Sequence, residues 1–318
     1  LFSNGEANLK KVDFISSHTG ELAALLTAVF WTVTSLAFES ASKTVGSLSV
    51  NFIRLVLAFI FLSLYSLFAR GLLLPTDAGG HQWLWLSLSG LVGFVMGDLF
   101  LFQSYVLVGA RISMLIMSLS PPIAAGIGWL SMGETLTLKQ ALGMLLIFIG
   151  IAMVVLRSEK TPNGSKIIGR KIKFGYSIPG LLLAFGGAVG QAGGLVLSKY
   201  GMAGYDVVAS VQIRVITGIV GFAAVLLFMH KSGNLLVAVK NAGAMRRITV
   251  GSFFGPFLGV SFSLLAVRYT STGVASALMS IVPVLIIAPS AVLLKEKITF
   301  REVAGAIVSV VGVVTFFL

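Results

Sequence analysis

Four stretches of this chain run the length of a membrane crossing without a charged side chain: Ile112–Gly133, Phe174–Ser198, Ile248–Val267 and Tyr269–Leu294. A hydrocarbon core needs roughly 20 consecutive apolar residues in a helix. In lipid every backbone N–H and C=O must find its partner inside the protein, which leaves helices and closed barrels as spanning structures. Barrel strands alternate apolar and polar residues. These runs do not alternate, so helices are expected.

The rest of the composition follows from that environment. The chain of 318 residues is 57% hydrophobic and 11% charged, where a soluble domain carries about 25% charged residues. A net charge of +12 would point to nucleic acid in a soluble protein. Here the basic residues fall in loops, where anionic lipid and insertion rules account for them, and no nucleic-acid partner is expected. With no cysteine, disulfides, thiol catalysis and cysteine metal sites are excluded. His18, His81 and His230 lie in or beside loops without metal-ligand spacing, so no metal and no other cofactor is expected. Residues 1–19 are polar and lack the apolar core of a signal peptide; they read as an unfolded segment ahead of a first helix that serves as the insertion signal.

Ten helices are expected, at 20–41, 48–70, 82–107, 111–131, 138–157, 176–199, 206–229, 247–268, 272–294 and 299–318. The basic, Gly- and Pro-containing stretch 158–175 reads as a linker, and 230–246 as a long loop. The linker divides a first repeat, 20–157, from a second, 176–318. Laid over the second half without a gap, Gly20 falls on Gly180, Ala24 on Ala184, Ala28 on Ala188 and Arg54 on Arg214. After two single-residue insertions Pro122 falls on Pro283, Glu134 on Glu296, Thr137 on Thr299, Gly143 on Gly305 and Gly150 on Gly312. Matched Arg, Pro and Glu carry weight because those residues are rare in membrane helices. Five helices per repeat is an odd number, so the second copy enters the membrane upside down. Inverted repeats of this kind are common in secondary transporters, with a site near the midplane where the copies meet.

The pattern Pro122, Gly133, Glu134, Thr137, Gln140, Gly143, Gly150, echoed by Pro283, Glu296, Thr299, Gly305 and Gly312, resembles the EamA type of the drug/metabolite transporter superfamily. In the second copy Lys295 stands where the family has Gly, and Glu302 where it has Gln. The resemblance covers nearly the whole chain beyond residue 19. It implies an all-α integral membrane protein, a basket of ten helices around a central cavity, and movement of small metabolites. Bacterial exporters of amino acids, aromatic ones included, are similar. Their likeness implies a multi-pass protein of the bacterial inner membrane, with an amino-acid-like substrate, the bilayer and protons as its partners.

Candidate site residues come from helix faces. Thr27, Trp31, Thr34, Ser35 and Phe38 share one face of the first helix. The equivalent face of the sixth carries Gly187, Gln191, Gly194 and Ser198. Trp31 and Gln191 are repeat partners, and an aromatic beside an amide suits a small amphipathic ligand. Close packing through the Gly186, Gly190, Gly194 ladder is the competing reading. Asp98 is the one carboxylate well inside a span, with Phe94, Phe102 and Tyr105 on its face. An acid in that place is a functional candidate, as proton carrier or partner of a substrate ammonium. Gly259 replaces it in the second copy. Arg54 and Arg214, some way inside their helices, are expected to pair structurally with Glu39 and Asp206. Pro122 and Pro283 are expected to bend the fourth and ninth helices, as static kinks or as hinges that gate the path. The fifth and tenth helices, nearly pure Leu, Ile, Val, Phe and Gly, read as scaffold.

Secondary transport by alternating access, exporting amino acids or similar metabolites, fits these features best. A translocator of sugar phosphates or nucleotide sugars is the alternative, and would need cations at the cavity. Enzymatic function is not expected: no nucleophile–base pair or paired acids fall within the spans. The orientation stays open. Lys and Arg are in excess in loops on the side opposite the termini, which places both termini outside, whereas the family resemblance implies cytoplasmic termini.

Overall fold

The computed structural model describes residues 17–155, 177–230, 233–287, 289 and 300–315. The linker 158–175, most of segment 1–19, and Lys295, Glu296 and Thr299 of the second motif lie outside the described residues. Within them the chain is helical, without a strand.

Two long helices open the fold, α1 (Thr19–Val45) and α2 (Ser47–Arg70). One residue joins them, Gly46, at φ 86°, a conformation that a residue with a Cβ rarely adopts. The third span starts as α3 (Gly80–Gly90), passes through a π-helical stretch, Leu91–Asp98, and continues as α4 (Leu99–Met117) with a break at Gly109 (φ 79°). The fourth expected helix is therefore in two pieces, the end of α4 and α5 (Ser120–Met132), followed by α6 (Leu138–Val155).

The second half repeats the plan. α7 (Ile178–Met202) and α8 (Val207–Phe228) come first; Asp206 caps α8 by accepting from the Ala209 N–H at 2.9 Å. The expected loop 230–246 contains a short helix, α9 (Gly233–Lys240). Then α10 (Ala242–Ser252), a second π-helical stretch (Phe253–Gly259) and α11 (Val260–Tyr269) form one span. Pro256 sits in that stretch, where its missing N–H breaks the regular ladder. The ninth expected helix is also split, into α12 (Thr272–Met279) and α13 (Val282–Leu285); α14 (Phe300–Val314) ends the described chain. Six helices among the described residues are long and apolar enough to cross a membrane: Thr19–Val45, Ser47–Arg70, Gly80–Ala110, Ile178–Met202, Val207–Phe228 and Ala242–Tyr269. Large apolar side chains such as Phe68, Leu130 and Phe228 point outward, as a lipid-facing surface requires.

Packing between the halves is reciprocal. α1 lies on α10, α11 and the second π stretch, while α7 lies on α3, α4 and the first; α2 packs on α8, α5 on α12 and α6 on α14. Glycines permit the closest of these approaches. A Cβ on Gly190 would lie 2.6 Å from the Gly97 Cα, and one on Gly194 2.7 Å from the Gly93 Cα. The α6–α14 crossing uses the motif glycines: a Cβ on Gly312 would meet the Gly143 carbonyl oxygen at 2.8 Å, and one on Gly150 would overlap Ser309.

Candidate transport cavity

The two π-helical stretches and the two broken helices meet at the centre and leave a cavity. Trp31, Thr34 and Phe38 of α1 line it, with Asp98, Phe102 and Tyr105 from the third span, Gln191 from α7, and Arg54 and Arg214 from α2 and α8. The breaks at Ser118–Leu119 and Ser280–Ile281 present Ser118, Ser120, Pro121, Met279 and Ser280 to the same space.

At the polar end Arg54 forms an ion pair with Asp98 Oδ2, both buried. Arg54 Nε also donates to Asn51 Oδ1 at 2.9 Å, and Asn51 Nδ2 donates to the Asp98 carbonyl at 3.4 Å. Gln191 Nε2 reaches the other carboxylate oxygen, Oδ1, at 2.6 Å and the Gly93 carbonyl at 3.5 Å. That carbonyl belongs to the π-helical stretch, where the widened ladder leaves oxygens to be satisfied by side chains. Aromatic rings surround the cations. Arg54 Cζ lies 4.7 Å from the Phe102 ring centre, and Arg214 Cζ 4.7 Å from that of Phe94. Phe38 stacks on Phe102 at 5.2 Å and Phe102 on Tyr105 at 5.5 Å.

The structure thus gathers seven of the eight residues read as substrate-binding: Trp31, Thr34, Phe38, Asp98, Phe102, Tyr105 and Gln191. Ser198 is not among them. It is fully buried in the α3–α7 contact, bonded to Ser89 at 2.7 Å and to the Gly194 carbonyl at 2.6 Å. A helix face tells which way a hydroxyl points but not whether a helix or a void stands there. The pairings expected for the arginines also differ. Glu39 pairs with Lys43 at 2.6 Å, and Asp206 lies 3.6 Å from Arg70. Arg54 and Arg214 are cavity groups that sequence reasoning assigned to structure. The usable signal was that the two arginines are repeat partners at matched depths inside apolar helices, and that one deep carboxylate, Asp98, is available to them.

Pro122 and Pro283 do not bend continuous helices. Each sits in the first turn of the piece that follows a break, α5 or α13, where a missing N–H costs little. Pro122 is exposed and Pro283 buried, and it is Pro121 that faces the cavity.

Comparison with known proteins agrees with this architecture. The family model for "EamA-like transporter family" matches residues 18–156 and again 178–318. The chain belongs to the EamA-like transporter family. It is 23% identical over 304 residues to an "Uncharacterized transporter" of Archaeoglobus fulgidus, covering 93% of this chain and 97% of that one. A chain solved by crystallography shares the fold at a TM-score of 0.66 and 16% identity, over 94% of this chain and 96% of the other.

The EamA-like motif at Gly133–Glu134 has a visible purpose here. Gly133, at φ 66°, reverses the chain after α5, which lets the Glu134 N–H bond back to the Gly128 carbonyl at 3.3 Å. The carboxylate then reaches the other half. Lys199 Nζ stands 2.6 Å from Oε1, while Oε2 accepts from the Thr272 N–H at 2.9 Å and its hydroxyl at 2.5 Å. Lys199 also donates to the Thr270 carbonyl at 2.7 Å. Partial burial pushes the Glu134 carboxyl up, but Lys199 and Thr272 outweigh it and hold the group below its usual value of 4.5. This clasp ties α5 to α7 and to the α11–α12 turn.

Proposed function

We propose that this EamA-like chain is a secondary transporter that exports small metabolites, amino acids with aromatic or large apolar side chains among them, by alternating access. The observation that carries the reading is the cavity between the two matched halves, which combines a buried ion pair with walls of Trp31, Phe38, Phe102 and Tyr105. Ten spanning helices in two inverted repeats, in a bacterial inner membrane, is the arrangement that goes with it. The broken helices α4/α5 and α12/α13 are the parts able to tilt, because their ladders are already interrupted next to the cavity. The packed pair α6 and α14 is the part that stays put. Coupling to protons would run through Asp98.

A second reading has an observation in its favour. Translocators of sugar phosphates or nucleotide sugars need cavity cations, and two guanidiniums line this cavity. Counterflow in proteoliposomes with a radiolabelled panel of amino acids and sugar phosphates separates the two. Accumulation of an aromatic or large apolar amino acid supports the first reading; exchange of sugar phosphates without any amino acid replaces it with the second. An imposed pH gradient that leaves the rate unchanged would remove the proton from the scheme.

A further inference from the structure

The cavity carries more positive charge than its own groups balance. Arg54 is matched to Asp98 and Asn51, and Gln191 holds the remaining oxygen of Asp98. Arg214 lines the same space and is only 3% exposed. It makes no hydrogen bond or ion pair among the described residues, and its Nε is buried without a partner. It lies over the face of Phe94 and beside Gly93, within electrostatic reach of Asp98, whose single charge is already paired with Arg54. A guanidinium cannot shed its charge to escape this position, and an unpaired buried ion is costly unless something arrives to meet it.

We infer that Arg214 anchors one anionic group of the cargo, and that the cargo is a monocarboxylate with an apolar or aromatic body. The inference rests on the transport reading above. A planar guanidinium matches a carboxylate in a two-bonded fork. One unmatched cation answers one negative charge, which favours a carboxylate over a phosphate dianion. Because the Asp98 charge is already paired with Arg54 and its other oxygen bonded by Gln191, an amino acid is held chiefly through its carboxylate, and its ammonium adds less. The shared chemistry therefore covers amino acids and simple organic acids alike.

The test uses the full chain, purified in detergent, with binding followed by tryptophan fluorescence, since Trp31 faces the cavity. The probes are L-phenylalanine, 3-phenylpropionate, L-phenylalaninamide and phenyl phosphate. A charge-assisted bond formed with the acids and absent with the amide corresponds to a preference of about tenfold or more. The expected result is that at least one acid binds about tenfold tighter than the amide in the native protein. Arg214→Gln should bring acid and amide within about twofold of each other, and Arg214→Lys should keep part of the preference. Removing an unpaired charge should leave the Tm of Arg214→Gln unchanged or higher, whereas a structural arginine would lower it. Tighter binding of 3-phenylpropionate than of phenylalanine identifies the cargo as a simple acid; the reverse identifies it as an amino acid. The inference is overturned if no acid outbinds the amide, if Arg214→Gln keeps the preference, or if phenyl phosphate binds tightest. Should Arg214→Gln fail to fold, an undiminished preference in a folded Arg214→Lys overturns it instead. Proteoliposomes separate the two levels. Acid-selective binding without transport removes the transport reading and leaves the anion site. Transport of acid and amide at equal rates removes the anion site and leaves the transport reading.

Discussion

The indole of Trp31 fills the space that a side chain at Gly259 would need: a Cβ there would lie 2.8 Å from Nε1. Gln191 and Asp98, the repeat equivalents of these two residues, are also in contact, through a hydrogen bond of 2.6 Å. The same crossing is thus built once from a ring on a glycine and once from an amide on an acid. Trp31→Ala should slow transport of aromatic substrates more than of small ones, by about tenfold if a buried aromatic contact of ~1.4 kcal/mol is lost. Gly259→Ala should act in the same direction by displacing the ring. Initial rates for phenylalanine and alanine in proteoliposomes check both.

The Arg54–Asp98 pair predicts a strongly coupled double-mutant cycle. Asp98→Leu leaves a buried guanidinium, and Arg54→Leu a buried carboxylate, each at a cost of about 3–5 kcal/mol. The double variant should recover most of the lost Tm while transporting nothing. Additive losses would mean that the two charges are not one unit.

The clasp at Glu134 has a definite pH dependence. Its carboxyl is held below the usual 4.5, so its stabilising contribution is complete above that value and is lost as pH falls through the lower folded value. Between pH 5 and 8 (roughly the range in which no carboxylate of ordinary value titrates) the clasp should be unresponsive. Glu134→Gln and Lys199→Met should remove the acid-induced step, and both should raise the labelling rate of a cysteine placed at Thr270. The native chain has no cysteine to interfere. Equal labelling in all three proteins would show that the clasp does not close this end.

Proline to alanine at the breaks should favour continuous helix. Pro122→Ala and Pro283→Ala restore an N–H at the start of α5 and α13, and each is expected to slow counterflow several-fold without lowering Tm. Unchanged rates would leave the prolines as helix starts with no part in the motion.

The glycine crossing of α6 and α14 predicts a contrast in stability. Gly150→Ala and Gly312→Ala overpack a close approach and should cost about 1–3 kcal/mol. Gly126→Ala, with nothing within 4 Å of its new Cβ, should be tolerated. Thermal unfolding in detergent measures all three.

Much of this arrangement was legible before any coordinates. Of the uncharged runs, Phe174–Ser198 and Ile248–Val267 fall in long helices, whereas Ile112–Gly133 and Tyr269–Leu294 turn out to be the broken ones. The internal match gave two halves with Trp31 and Gln191 as counterparts. The match also singled out Gly143, Gly150, Gly305 and Gly312, although not that they touch one another. What stayed hidden depends on depth and partnership. Arg54 was expected to pair with Glu39, yet roughly 10 Å along α2 from Ser47 it is Asp98 of the third span that stands within its reach. Ser198 shares the helix face of Gln191, but about two turns further along a neighbouring helix replaces the void. The π-helical stretches have no periodic signature, and Pro256 was the one local hint. Helix α9 was hidden because eight residues are too few for a clear amphipathic period.

At the α6–α14 seam Gly143 faces Gly312 and Gly150 faces Gly305, each glycine meeting the counterpart of the other, so one surface serves as both sides of the contact. That is the isologous geometry by which identical subunits pair. Either half, produced as a separate polypeptide, already carries the face that recognises its twin. The cavity obeys the opposite rule. Twinned walls would offer a bound molecule the same groups whichever way it turned. With an acid and amide on one wall and an indole over glycine on the other, a guest has a head end and a tail end, and duplication has given way to division of labour.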